Sequence, residues 1–203
     1  MCLSLEDRYS MKLRFLVPAL ALTLTTVAAQ AQVGLYLNPV VSRVSNSTPD
    51  HGVFAFLGDG GTSQIFGGVD FGGYYEFAHY AKSDVSIDVR DAIQHGNNAS
   101  LNSFMVGLRF AAKPMAYNLK PYGQLSVGVG RTKSPLSPVH ISKLQYGIYG
   151  GVDKPLNKHV DWRIIEVSYG SVTTISSSIF GGPTPIPAAS VLGFSTGFVF
   201  RFK

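Results

Sequence analysis

The most constraining feature of this 203-residue sequence is an alternation of apolar and polar residues that recurs after residue 32. Between Asp84 and Arg90, for example, Val85, Ile87 and Val89 alternate with polar side chains. A period of two predicts a β-strand with one apolar and one polar face. Similar alternation predicts eight strands in all, over residues 33–42, 68–77, 84–90, 103–110, 124–130, 144–152, 165–169 and 192–202. Trp162 and Ile164 break the pattern just before the seventh strand.

Composition indicates which face of these strands meets water. The polar face consists mainly of Gly, Ser, Tyr, Gln and Asn, and charged residues make up only 14% of the chain. A water-facing sheet normally carries more Lys and Glu, whereas small and mid-sized groups suit the interior of a narrow barrel. We therefore predict an all-β fold, an eight-stranded antiparallel up-and-down transmembrane β-barrel whose apolar side chains face lipid. A soluble lipocalin-like barrel, with the opposite polarity, is the main alternative.

The connections between the predicted strands suit a barrel that crosses a membrane. Strands of roughly 9–12 residues have the length that a tilted strand needs to cross a bilayer. The predicted connections are residues 46–65, 78–82, 92–100, 112–120, 131–141, 154–160 and 172–190. The first and last are longest, as expected of long outer loops that alternate with short periplasmic turns. An even number of strands would leave both chain ends in the periplasm.

The N-terminal segment has the features of an export signal. Lys12 and Arg14 precede an apolar run over residues 15–29, and Ala29 and Ala31 form an A-x-A cleavage site. We predict that residues 1–31 are a signal peptide and that residues 32–203 form the barrel domain. Residues 1–10 carry two acidic residues ahead of the basic pair, so we expect translation to start at Met11.

Charge and cysteine content argue against several other classes of protein. The 17 Lys and Arg residues are scattered rather than clustered, which does not favour a nucleic-acid binder. Cys2 is the only cysteine, so the predicted mature chain has neither a disulfide nor a thiolate metal site. The five histidines are predicted to be solvated in loops or at strand ends, without the spacing of a metal site: His51, His79, His95, His140 and His159. We predict no metal and no cofactor.

The last predicted strand resembles a known sorting motif. Residues 192–202 read LGFSTGFVFRF, with apolar or aromatic side chains at alternate positions and a Phe at the end, followed by Lys203. This pattern resembles the C-terminal assembly signal of outer-membrane β-barrel proteins, with Phe194, Phe198, Phe200 and Phe202 as its aromatic positions. The segments 84–110 and 161–169 are similar to porin-family barrel domains. Together the features resemble a small eight-stranded barrel of the OmpA/OmpX type.

The resemblance implies a location and a set of partners. It implies a monomer in the bacterial outer membrane that reaches its site by export and by the barrel-assembly machinery. Its other expected partners are outer-membrane lipid and lipopolysaccharide.

Several charged residues belong to the polar face and would therefore point into the barrel. These residues are Asp70, Glu76, Asp84, Asp88, Arg90, Arg109, Glu166 and Arg201. Because an unpaired buried charge is very unfavourable, we predict that they pair and plug the lumen. Eight strands leave room for side chains but not for an aqueous channel. A path for small ions, lined by the same residues, is the alternative.

One pair of residues is a candidate for catalysis. His140 and Ser142 share the outward face of the sixth strand, and some eight-stranded barrels are lipid A deacylases with a His-x-Ser pair. A base that activates a nucleophile needs an orienting carboxylate, and no acidic residue is near on that face. We therefore predict no catalytic residues and no enzyme activity.

The predicted function is a structural or surface-interaction role, with the loops 46–65 and 172–190 presented outward. A small porin-like channel for ions or small solutes is the first alternative, and a lipid A-modifying enzyme is the second.

Overall fold

A computed structural model describes residues 32–52, 55–172 and 188–202 of the chain. Within these residues the strands are β1 Val33–Ser45, β2 Ser63–His79, β3 Ser83–Gly96, β4 Ala99–Ala112, β5 Lys120–Lys133, β6 His140–Pro155, β7 Val160–Val172 and β8 Ala189–Phe202. They form a closed barrel in sequence order, and β8 pairs antiparallel with β1. The predicted eight-stranded up-and-down fold is confirmed.

Some predictions concern residues beyond this description. The predicted signal peptide, residues 1–31 with its cleavage site at Ala29 and Ala31, lies outside the described residues. So do Lys203 and most of the predicted connection 172–190. Among the described residues, no helix combines the length and the apolar character that crossing a membrane would require.

The observed strands are longer than predicted. They have 13 to 17 residues, because strand pairing continues into the polar segments beyond the apolar band. The largest difference is at the predicted connection 92–100, which is almost entirely strand. Only Asn97 and Asn98 join β3 to β4, with φ of 48° and 62°. A two-residue hairpin with both residues in the left-handed region favours Asn at these positions, so the prediction of a longer loop was wrong.

The barrel has two distinct ends. At the terminal end lie the two ends of the described chain and the connections 80–82, 113–119 and 156–159, the second of which contains a short 3-10 turn, Ala116–Asn118. At the loop end lie the connections 46–62, 97–98 and 134–139 and the connection from β7 to β8. The predicted alternation of long and short connections therefore holds only in part, since the hairpin at 97–98 is the shortest of all.

The two faces of the sheet have opposite polarity, with apolar side chains outside. Leu37 and Leu125 are 57% and 59% exposed on the outer face, whereas the adjacent Tyr36 and Gln124 are 3% and 2% exposed inside. Phe194, Phe198, Phe200 and Phe202 of the predicted assembly signal also lie on the outer face, about half exposed. A soluble barrel would bury its apolar face instead, so this arrangement is that of a membrane barrel.

A β-bulge in β7 changes which residues point inward. The pairing of β7 with β8 shifts between Arg163 and Glu166. Before the bulge, Asp161 and Arg163 are buried while Trp162 is exposed; after it, Glu166 is buried while Ile165 is exposed. An extra residue in one strand reverses the alternation of faces, which explains why Trp162 and Ile164 break the sequence pattern.

Inward glycines make room for inward tyrosines on the neighbouring strand. Tyr36 is paired with Gly72, Tyr74 with Gly34, and Tyr122 with Gly151. A Cβ built on Gly151 would lie 2.5 Å from the Tyr122 hydroxyl oxygen, and one built on Gly34 would lie 2.3 Å from the Tyr74 ring. The tyrosine rings therefore lie across these glycines and reach the centre of the barrel.

This packing predicts that Gly151→Ala destabilises the barrel. The new methyl group would displace the Tyr122 ring, and such overpacking typically lowers the free energy of unfolding by about 1–3 kcal/mol. Urea titration of the protein folded in vesicles would measure the change. Gly150→Ala is the matched control, because a Cβ there would meet only the Tyr122 carbonyl oxygen, at 3.9 Å. Equal effects of the two substitutions would contradict the role of the Gly–Tyr pair.

Candidate functional site

The interior of the barrel holds a central network of seven charged side chains, all at most 3% exposed. Its members are Asp70, Asp88, Asp153 and Glu166 with Arg90, Arg109 and Arg163. They come from β2, β3, β4, β6 and β7, because the inward positions of these strands meet at mid-height. The hydrogen bonds among them run across the interior of the barrel.

Arg90 is the first hub of this network. It donates two hydrogen bonds to Glu166, from Nη1 to Oε1 at 2.9 Å and from Nη2 to Oε2 at 3.2 Å. It also donates to Asp88 Oδ1 and to Asp70 Oδ2, each at 3.2 Å, and to Gln124 Oε1 at 3.3 Å. β3 and β7 lie on opposite sides of an eight-stranded barrel, so the bidentate hydrogen bond between Arg90 and Glu166 crosses the whole lumen.

Arg163 extends the network toward the terminal end. It donates to Glu166 Oε2 at 3.3 Å and to Asp153 Oδ1 at 3.0 Å. Asp153 Oδ2 in turn accepts a hydrogen bond from Arg109 at 2.7 Å. Glu166 and Asp153 thus join the three arginines in one continuous chain of charge-assisted hydrogen bonds, the strongest kind available to side chains.

Tyrosine rings pack against the arginine side chains inside the barrel. The Arg109 guanidinium lies between the rings of Tyr74 and Tyr122, with its Cζ 4.2 Å from each ring centre. The Arg90 Cζ lies 4.0 Å from the centre of the Tyr149 ring. Tyr122 also donates to Glu166 Oε2 at 2.6 Å, and Tyr36 donates to Asp88 at 3.0 Å. The rings shield the charges and supply cation–π attraction.

A second set of charges, which we call the terminal group, lies toward the terminal end. Arg201 Nη2 is 2.7 Å from Asp161 Oδ1, and Lys120 Nζ is 3.7 Å from Asp161 Oδ2. Lys113 donates to Asp84 at 2.5 Å. Glu76 completes the group and lies 3.9 Å from His79 Nδ1. These side chains lie toward the terminal end, with Asp161 buried and Lys113 42% exposed.

The loop end is closed by apolar side chains, which we call the loop plug. Phe56 and Leu57 of the connection 46–62 are buried against Phe66, Val44 and Leu101 of the barrel wall, and the rings of Phe56 and Phe66 stack with centres 5.1 Å apart. Buried Asp50 holds the loop in place, since its Oδ2 accepts hydrogen bonds from the backbone amides of residues 56 and 57, both at 3.1 Å. The described residues of this loop are thus packed against the inner side of the barrel wall.

The structure brings the predicted interior residues together, but into two groups. Asp70, Asp88, Arg90, Arg109 and Glu166 lie in the central network. Glu76, Asp84 and Arg201 lie in the terminal group.

Sequence reasoning missed several partners of these residues. Arg163 and Asp161 precede the bulge in β7, so alternation counted from Glu166 places them outside. Asp153 continues the inward parity of β6 by one step beyond the predicted strand end. The only sequence signal for an inward position of Arg163, Asp161 and Asp153 was a charged residue within or next to an apolar strand.

Two candidate chemical sites lack what their chemistry requires. His140 and Ser142 are both exposed, and the register places them opposite Lys133 and Arg131 of β5. In the described part of the chain, cations rather than a carboxylate therefore face this pair. A general base for Ser142 would need an acidic partner to orient it.

The ligand atoms of Glu76, His79 and Asp84 lie within 4.8 Å of one another, as a metal site would require. However, Asp84 Oδ1 is already contacted by Lys113 and, at 2.8 Å, by His79 Nδ1. His79 lies exposed at the end of β2, as predicted, and also contacts Asp84.

Comparison with solved structures agrees with the fold. Neisserial surface protein A matches with a TM-score of 0.53 and 12% identity, over 84% of this chain and 97% of that protein. Ail, the attachment invasion locus protein of Yersinia pestis, in complex with the heparin analogue sucrose octasulfate, matches with a TM-score of 0.50 and 15% identity, over 85% of this chain and 99% of that protein. No protein-family model matches the sequence, and no curated protein does. The chain has the fold of the small outer-membrane β-barrels.

The geometry of the central network predicts that Arg90→Met strongly lowers the stability of the barrel. The substitution keeps much of the side-chain volume but leaves Asp70, Asp88 and part of Glu166 without their cation. Removing one partner of a buried ion pair typically lowers the free energy of unfolding by about 3–5 kcal/mol. Urea titration in vesicles would measure this. Arg131→Met, at an exposed position on the outer face, is the control and should change stability by less than about 1 kcal/mol. A small effect of Arg90→Met would show that the network contributes little to stability.

Proposed function

We propose that the protein is a monomeric outer-membrane barrel with a structural or surface-interaction role and a closed lumen. The observation that carries this proposal is the bidentate hydrogen bond from Arg90 to Glu166, which joins strands on opposite sides of the barrel. The terminal group below it and the loop plug above it add two further closures. Water and ions would have to displace three successive layers of packed side chains to pass.

The outer face supports a location in the outer membrane. A strand of 14 residues such as β5, tilted by ~40°, rises about 35 Å along the barrel axis, enough to cross the apolar layer with polar ends on both sides. The aromatic side chains of β8 face outward toward its C-terminal end, where the barrel-assembly machinery would bind. The loop end would face the exterior, so that the connection 46–62 and the end of β7 point outward.

Lipopolysaccharide is the proposed lipid partner, and basic residues at the loop end support this. Strand register places His95, Ser100, Lys133 and His140 in one row across β3 to β6. The next row toward the middle contains Asn102, Arg131 and Ser142. Below these rows the outer face of β4 to β6 is apolar, with Phe104, Val129 and Leu144 at 46–67% exposure, and Asp91 of β3 lies in the same row. Cations immediately above an apolar band are placed to bind the phosphate groups of a lipid.

Conductance would test the closed lumen. Wild-type protein from the outer-membrane fraction should conduct almost nothing in a planar bilayer. Arg109→Ala removes the cation between Tyr74 and Tyr122 and should raise the conductance. Arg43→Ala, on the exposed outer face, should leave it unchanged.

The outcomes of this test separate the proposal from its alternatives. A wild-type conductance that disappears in Arg109→Ala would instead favour a small porin-like channel. Recovery of the protein in the soluble periplasmic extract, with no change in gel mobility on boiling, would contradict a membrane location.

The lipid proposal predicts weaker binding of lipopolysaccharide by the double variant Arg131→Gln, Lys133→Gln. Each basic residue near an anionic surface contributes about 1 kcal/mol, so the loss of two should weaken binding roughly thirtyfold. Binding of fluorescent lipopolysaccharide to the barrel in detergent would measure it. Lys154→Gln, Lys158→Gln, at exposed positions near the terminal end, is the matched control. Equal binding of dephosphorylated lipopolysaccharide by the wild type would contradict phosphate recognition.

A further inference from the structure

A small cavity lies inside the barrel between the central network and the loop plug. Its volume is about 40 Å³, and its lining includes the polar residues Asp70, Arg90, Gln94, Ser103 and Gln145 together with the apolar Leu101. A cavity needs a volume of roughly 10–15 Å³ to hold one water molecule, so this cavity has room for a small ion together with water. Its polar lining distinguishes it from the dry, apolar voids of protein cores.

Two residues that line this cavity each have a side-chain oxygen atom without a protein partner. Among the described residues, Asp70 Oδ1 and Gln94 Oε1 are buried without a hydrogen bond, although both residues are at most 5% exposed. Register places Gln94 opposite Gly68, two residues from Asp70 and on the same inward face. Leaving a buried carboxylate oxygen unpaired is energetically unfavourable, which indicates that something else satisfies it.

The charges of the central network do not balance. Four carboxylates, those of Asp70, Asp88, Asp153 and Glu166, face the three guanidinium groups of Arg90, Arg109 and Arg163. The terminal group does balance, since Glu76, Asp84 and Asp161 face Lys113, Lys120 and Arg201.

The unbalanced charge can be assigned to Asp70. Of the four carboxylates in the central network, only that of Asp70 has an oxygen atom without a partner. The network therefore carries one negative charge in excess, on a residue that lines the cavity.

We propose that this cavity binds one monovalent cation, Na⁺, through Asp70 Oδ1 and Gln94 Oε1. Hard cations take carboxylate and carbonyl oxygen ligands, and water in the cavity would complete the coordination. A single positive charge neutralises the network, whereas a divalent ion would leave an excess positive charge beside Arg90. The ion would thereby complete the closure of the lumen just below the loop plug.

Binding of ²²Na⁺ to the full barrel in detergent, in choline buffer at neutral pH, tests this proposal directly. We expect one saturable Na⁺ per barrel, and a heat-denaturation temperature that rises with Na⁺ but not with choline at equal ionic strength. Asp70→Asn keeps the shape but removes the charge, and should weaken Na⁺ binding at least tenfold. Gln94→Met keeps the charge but removes an oxygen ligand, and should weaken it by a smaller factor.

The matched control is Asp91→Asn, the same chemical change on the outer face of β3, next to Arg90 in sequence. It should bind Na⁺ as the wild type does. Absence of bound Na⁺ in the folded wild type, or unchanged binding in Asp70→Asn, would overturn the proposal. So would a denaturation temperature that follows pH and not Na⁺, because a proton on Asp70 would then balance the charge.

Discussion

The structure depends on the need to pair every charge that the closed wall isolates from water. Arg90 meets this need by binding Glu166 from across the lumen, together with Asp88 and Asp70 from its own side. The other central contacts follow from the same requirement, since Glu166 and Asp153 are each shared between two arginines. The interior is thus one connected electrostatic unit rather than a series of independent pairs, and we expect its members to act non-additively.

Two local features of the backbone make this unit possible. The glycines opposite Tyr36, Tyr74 and Tyr122 let large rings lie across the wall, so that their π-faces reach the arginines. The hydroxyl groups of Tyr36 and Tyr122 reach Asp88 and Glu166. The bulge in β7 brings Arg163 and Glu166 to the same interior although they are three residues apart. Without that bulge, one of the two charges would point to the apolar exterior.

Much of this architecture could be predicted from the sequence, because the alternation of faces is a local property. The number of strands, their order and the inward position of residues such as Arg90 follow from it directly. Strand ends could not be predicted as well, since Asn97 and Asn98 continue a hairpin where composition indicates a loop. Arg163 was missed because a bulge cannot be distinguished from an irregular strand end before the neighbouring strand is known. Burial of Phe56 in the barrel mouth depends on contacts with distant strands, and no local pattern predicts it.

The Arg90–Glu166 contact joins residues 76 positions apart, on walls that meet only when β8 closes against β1. An open sheet would hold Arg90 and Glu166 apart. In a partly assembled barrel these charges should therefore stay hydrated until β8 pairs with β1. Loss of that water and closure of the seam should therefore be one concerted step, late and slow because the contacts it gains are so distant along the chain. The polar interior should therefore delay the final folding step. An incomplete barrel keeps its interior hydrated, and only the closed barrel can exclude that water.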